Sequence, residues 1–129
     1  IEVDEIPDAW DKMYEEYLGI TPPNHTIGVL QDIHWCMGAI GYFPTYTLGN
    51  LYAAQLLEAA RGDIPDHEER VIKGDFQPLL DWMRSKIHSR GSILEPAELI
   101  KEATGSYPSP QPFVEYLSDK VRRLYDIEI

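Results

Sequence analysis

Residues 44–61, PTYTLGNLYAAQLLEAAR, are apolar on nearly every side of a helix. Leu48, Leu51, Tyr52, Leu56 and Ala59 share one face, and Ala53, Ala54, Leu57 and Ala60 cover much of the rest. A helix that is apolar all round belongs inside a protein, not on its surface. This one is therefore expected to be central in a large protein, opened by Pro44 and stopped by Gly62. Gly49 in mid-helix is unfavourable by up to about 1 kcal/mol relative to Ala. That penalty predicts a close contact with another backbone.

Helical periodicity runs through the remaining chain. Ile6, Trp10, Met13, Tyr14, Tyr17 and Leu18 fall on one face, with Pro7 suited to a first turn and Gly19 to a C-terminal cap. Residues 28–37 read as a short, largely buried helix, followed by a glycine-rich loop over 38–43. A short helix is expected at 65–71. Phe76, Leu79, Leu80, Met83 and Ile87 mark another, ended by Gly91. Residues 95–104 form one capped by Gly105, SYPSPQP is a linker, and Phe113, Leu117, Val121, Leu124 and Tyr125 line the last. No stretch alternates as a strand would. The reading is all-α, with about six helices in one domain over 1–129.

The chain has 129 residues and a net charge of −11. Nucleic acids are bound by Lys and Arg neutralising phosphates, so this acidic balance argues against them and against an anionic membrane surface. No apolar run approaches the roughly 18 residues that span a bilayer. Cys36 is the only cysteine, so an internal disulfide is impossible and a reducing, cytoplasmic setting is expected. Cys36 lies in the apolar stretch and reads as buried packing. The opening IEVDEIPDAW lacks a methionine and reads like a cut inside a longer protein.

The chemistry is concentrated in GVLQDIHWCMGAIGYFPTYTLGNLYAAQ, residues 28–55. Gln31, Asp32, His34, Trp35, Tyr42, Tyr46 and Asn50 sit there among apolar residues. Unpaired polar groups in such surroundings are unfavourable by about 1–3 kcal/mol each, so this density points to use. His34 is either a hydrogen-bonded core histidine or a donor to developing negative charge on a substrate oxygen. On a helix Asp32 points to another side, so it is not expected to orient the His34 ring directly, and supports the site from behind or fixes the helix. Tyr42 and Tyr46 flank Phe43-Pro44-Thr45. Phenols stay protonated near neutral pH and are good oxyanion donors; the bland alternative is packing.

The four histidines make no metal motif. No two are three or four apart. His67-Glu68-Glu69 starts like H-E-x-x-H, but Val71 stands where the second histidine belongs, and a zinc site needs about three protein ligands. His25 reads as a loop residue, and His88 sits near a helix C-terminus.

GVLQDIHW followed by GYFPTYTLGNLYAAQ resembles the C-terminal signature of the thermostable carboxypeptidase 1, or carboxypeptidase Taq, family of zinc metallocarboxypeptidases. PDAWDKMYEEYLGI, FQPLLDWMRSKIHSRG, ELIKEATG and VEYLSDKVRRLYDI resemble the same region in the same order. The likeness covers essentially the whole chain. It implies the C-terminal helical portion of a gluzincin-like peptidase, whose zinc-binding helix and general-base glutamate lie before the point matching Ile1. Zinc or another divalent metal is then implied for the full-length enzyme, with none held by these residues. The implied substrate is a peptide C-terminus, and the implied assembly is a homodimer.

By the same resemblance, His34 and one of Tyr42 or Tyr46 would hydrogen-bond the tetrahedral oxyanion or the substrate backbone. Gln31, Asp32, Trp35 and Thr45 would contact substrate. Alone the chain is expected to be inactive, and to cover an apolar patch around Trp35, Phe43, Leu48 and Tyr52 by self-association. Two other readings stay open: a standalone helical binding module, and a dimerisation domain whose His and Tyr only pack.

Overall fold

Residues 1–127 are described by the computed structural model, and among them there are helices and turns but no strand. Six α-helices follow one another: α1 (Ile6–Leu18), α2 (Pro44–Asp63), α3 (His67–Ile72), α4 (Gln77–Lys86), α5 (Pro96–Thr104) and α6 (Gln111–Tyr125). Proline stands in the first turn of α1, α4, α5 and α6, where its missing N–H costs nothing. Left-handed glycines end α1 at Gly19 and α5 at Gly105. These boundaries agree with the sequence reading within a residue or two except at α4, which ends at Lys86, with a 3-10 turn His88–Arg90 standing before the expected stop at Gly91.

The chain divides into two compact units, Ile1–Thr45 and Tyr46–Ile129. The boundary falls in the first turn of α2. In the first unit α1 packs against a 3-10 turn, Val29–Gln31. Trp10 stacks on Tyr14 at 5.3 Å between ring centres and meets the edge of Trp35 at 6.4 Å. Val29 is buried there.

In the second unit Ala60, Ile64 and Trp82 form a buried cluster, with Leu56, Ala59, Leu79 and Met83 packed around it. Leu79, Trp82, Met83 and Lys86 recur at helical spacing on α4, so one stripe of that helix meets the second half of α2. The Trp82 indole N–H donates to Asp63 Oδ2 at 2.9 Å. The ring is thereby buried with its one polar atom satisfied.

Two expectations fail, on residues 28–37 and on Gly62, and two others, expected for α2 inside a larger protein, are not met by these residues alone. Residues 28–37 are not a helix: two 3-10 turns, Val29–Gln31 and Trp35–Met37, stand there, separated by extended backbone at Asp32. Helix α2 is not enclosed within this chain. Gln55 and Ala60 alone are buried on it, and Tyr46 and Leu48 are about half exposed. The apolar faces have too few neighbours among 129 residues. A side chain added at Gly49 would meet nothing within 4 Å, so the expected backbone contact is not made here. Gly62 does not stop the helix, which runs one residue further to Asp63.

Candidate active site

The polar loop of the first unit is built from its own neighbours in sequence. Asn24 caps the turn His25–Ile27, its Oδ1 accepting the N–H groups of Thr26 and Ile27 at 3.1 and 3.3 Å. Gln31 Nε2 then donates to the Thr26 carbonyl at 2.7 Å. Between them lies Gly28, buried, at φ −112° and ψ −119°. A Cβ there would come within 3.0 Å of Pro22 Cβ and 3.2 Å of the Asn24 carbonyl. The close approach of backbones explains the glycine.

Asp32 follows in extended conformation, φ −77° and ψ 96°, which turns its side chain over the next two residues. Its Oδ1 accepts the His34 backbone N–H at 3.0 Å and lies 2.7 Å from His34 Nδ1. Aspartates commonly bond the backbone two residues on. The direct Asp32–His34 bond corrects the sequence expectation. On a helix residues two apart diverge, but this backbone is not a helix. Both side chains are largely enclosed, 5% exposed for Asp32 and 14% for His34.

The Asp32 carboxyl is held below its ordinary value of 3.8. Burial pushes the other way, and is outweighed by hydrogen bonds from the His34 ring and backbone, the His34 charge and a hydrogen bond from the Trp35 side chain. An ionised carboxylate only accepts. Nδ1 is therefore the donor in this pair, and any hydrogen bond from His34 to a substrate runs through Nε2.

Two aromatic rings brace the imidazole. Tyr42 stacks on it at 5.2 Å and 30°, and Phe43 meets it edge-on at 5.7 Å and 75°. Gly38, at φ +72°, lets the chain reverse after the turn Trp35–Met37. The Tyr42 N–H then donates to the Ala39 carbonyl at 3.3 Å, and the Tyr42 carbonyl accepts both the N–H and the hydroxyl of Thr45, at 2.9 and 2.7 Å. Thr45 thus fixes the entry to α2.

The structure brings Gln31, Asp32, His34, Trp35, Tyr42 and Thr45 into the first unit. Gln31 and Thr45 hold the loop's own backbone, which sequence alone does not show. Tyr46 is the first residue of the second unit, on the first turn of α2 and half exposed. Cys36 is exposed, contrary to the packing role expected of it. The apolar run it belongs to is not a buried helix.

The model of the carboxypeptidase Taq (M32) metallopeptidases matches residues 1–121. The chain belongs to this family. Thermostable carboxypeptidase 1 of Thermus thermophilus is 47% identical over 122 residues, covering 95% of this chain and 24% of that protein. Carboxypeptidase 1 of Bacillus subtilis is 40% identical over 97% of this chain and 25% of its own length. Among solved structures, the M32 carboxypeptidase of Deinococcus radiodurans superposes with a TM-score of 0.92 at 38% identity, over 98% of this chain and 26% of that one. The chain spans about a quarter of the length of the relatives it matches.

An M32 metallopeptidase requires a divalent metal. The described residues do not offer a cradle for one: nowhere do three His, Cys, Asp or Glu side chains come together at ligand distance. His67 is buried, with Glu68 Oε1 3.6 Å from its Nδ1. That carboxylate is already engaged by Arg61 Nε at 2.7 Å.

One buried polar residue escaped the sequence reading. Gln55 is 3% exposed on α2. An amide on an otherwise apolar helix face was the available signal. No described helix is long and apolar enough to cross a membrane.

Proposed function

We propose that this chain is the C-terminal helical portion of a zinc metallocarboxypeptidase that removes C-terminal residues from peptides. In this reading zinc, or another divalent metal, is held by residues outside these 129. The polar loop of residues 28–45 supplies part of the wall against which the substrate's scissile carbonyl lies. The observation that carries the reading is the Asp32–His34 bond of 2.7 Å. A carboxylate on Nδ1 fixes the orientation of the imidazole and leaves its action to Nε2. With Nδ1 donating to Asp32, that nitrogen is a donor in the doubly protonated ring. The pair then presents a charge-assisted donor to developing negative charge on the substrate oxygen, the kind of hydrogen bond that strengthens in the transition state.

Tyr42 and Tyr46 are the second donor candidates. Tyr42 is favoured by its stacking on His34, which ties its ring to the same loop. Asp32 and Trp35 position the histidine. Gln31 and Thr45 keep the loop in shape around the substrate. A cytoplasmic homodimer fits the single exposed cysteine and the apolar side chains left exposed, among them Met37, Phe43 and Leu48.

The test is steady-state kinetics in the complete enzyme. His34→Ala is expected to lower kcat by roughly 10²–10³-fold, the usual loss for one such donor, with a smaller change in KM. Near-normal kcat would reduce His34 to packing. Tyr42→Phe and Tyr46→Phe remove only the hydroxyls, and the one that lowers kcat identifies the partner.

A further inference from the structure

Gln55 is more deeply buried than any other polar side chain described. Its amide reaches a segment some fifty residues away. Nε2 lies 2.9 Å from Ser106 Oγ, 3.1 Å from Thr104 Oγ1, 3.2 Å from the Tyr107 carbonyl and 3.3 Å from the Ser106 carbonyl. Oε1 accepts the Ser109 N–H at 3.1 Å. The reversed amide would set its oxygen against two carbonyl oxygens, so this network fixes its orientation.

The segment it holds, residues 105–110, is neither helix nor strand. Pro108 and Pro110 bring no N–H to bond. Ser109 links the amide to α6: its N–H goes to Gln55, and its Oγ accepts the Gln111 N–H at 3.2 Å in the first turn of that helix. The buried cluster of the unit, meanwhile, comes from α2, Ile64 and α4; α5 buries Ile100 and Ala103, whereas no side chain of α6 is buried.

We propose that Gln55 is a latch. It holds the 105–110 strap and, through Ser109, the start of α6 against α2, and the strap–α6 arm opens as one unit when the latch is broken. The groove of about 920 Å³ whose walls include Ala54 and Leu57 on α2 and Phe113, Tyr116 and Arg123 on α6 takes its width from this contact.

Hydrogen exchange on the full 129-residue chain tests this. Gln55→Leu keeps the bulk and removes the amide. Amides of residues 105–125 are expected to lose protection by roughly tenfold or more, while those of α4 keep theirs. Equal loss in α4, or no loss in the arm, overturns the proposal. Gln55→Glu is the second variant. Its carboxylate would face the carbonyl oxygens of Ser106 and Tyr107, whereas its acid form regains one donor. Burial raises a carboxyl above the ordinary ~4.3, so arm protection is expected to be low at neutral pH and to recover on acidification. That acid form also provides a latched reference if Gln55→Leu does not fold. Arm protection in Gln55→Glu that does not vary with pH overturns the latch.

Discussion

The two units bind themselves together over different distances along the chain. In Ile1–Thr45 the bonds that shape the polar loop span two to five residues: Asp32 to His34, Gln31 to Thr26, Thr45 to Tyr42. In Tyr46–Ile129 the decisive ones span nineteen to fifty-four: Trp82 to Asp63 and Gln55 to residues 104–109. Short-range bonds fix a local shape without a large core, because little chain entropy is lost in closing such small loops. Long-range bonds form only once helices have packed: Gln55 and Trp82 are buried at them, while their partners Asp63 and Ser106 stay exposed. The loop can therefore present polar groups at a surface, while the helical unit uses its polar groups to hold helices in register.

That contrast can be broken first at Trp82. Removing the ring takes out the centre of the buried cluster and leaves Asp63 without its indole donor. Trp82→Ala is expected to cost about 3–5 kcal/mol, read from urea unfolding by circular dichroism. A cost under about 1 kcal/mol would mean the long-range contacts do not dominate this unit.

Asp32→Asn addresses the loop. It preserves shape but removes the charge that holds the His34 ring by its Nδ1. In the complete enzyme kcat is expected to fall roughly 10–100-fold, by analogy with hydrogen-bond partners that orient metal-bound histidines. The loss should be smaller than for His34→Ala. An unchanged kcat would detach Asp32 from the chemistry and leave it as a turn-former.

Gly28→Ala is expected to lower stability by about 1–3 kcal/mol through the contacts with Pro22 and Asn24. A thermal melt gives the value. If it exceeds that of Trp82→Ala, the ordering of the two regions is reversed.

The smallest effect is on pH. The folded-state value of Asp32 lies below 3.8, so folding disfavours its protonated form. The stabilisation is present in full above that value and is lost as pH falls below it towards the folded value. Asp32→Asn removes the dependence. The stability difference between wild type and variant should thus shrink on acidification below about pH 4. A difference that grows there would reverse the sign of the Asp32–His34 interaction.

Helix positions were legible in the sequence because apolar spacing, first-turn prolines and terminal glycines act locally. Residues 111–125 show this: every signal for α6 lies within the segment. The candidate site was legible as composition, through polar and aromatic residues crowded between glycines. Its geometry was not. The same periodicity that correctly located α6 read a helix into residues 28–37, where Gly28, the extended Asp32 and Gly38 break the backbone into two turns. Cys36 was misplaced for the same reason.

The sequence by itself determined that the chain is helical and where its six α-helices lie, since both follow from side chains and backbone preferences within a turn or two. The tertiary structure alone decided that Asp32 holds His34 Nδ1, that the first half of α2 stays exposed within these residues, and that Gln55 ties down the strap before α6. Each depends on where the backbone actually goes, and for Gln55 on the packing of segments fifty residues apart, which no local preference encodes.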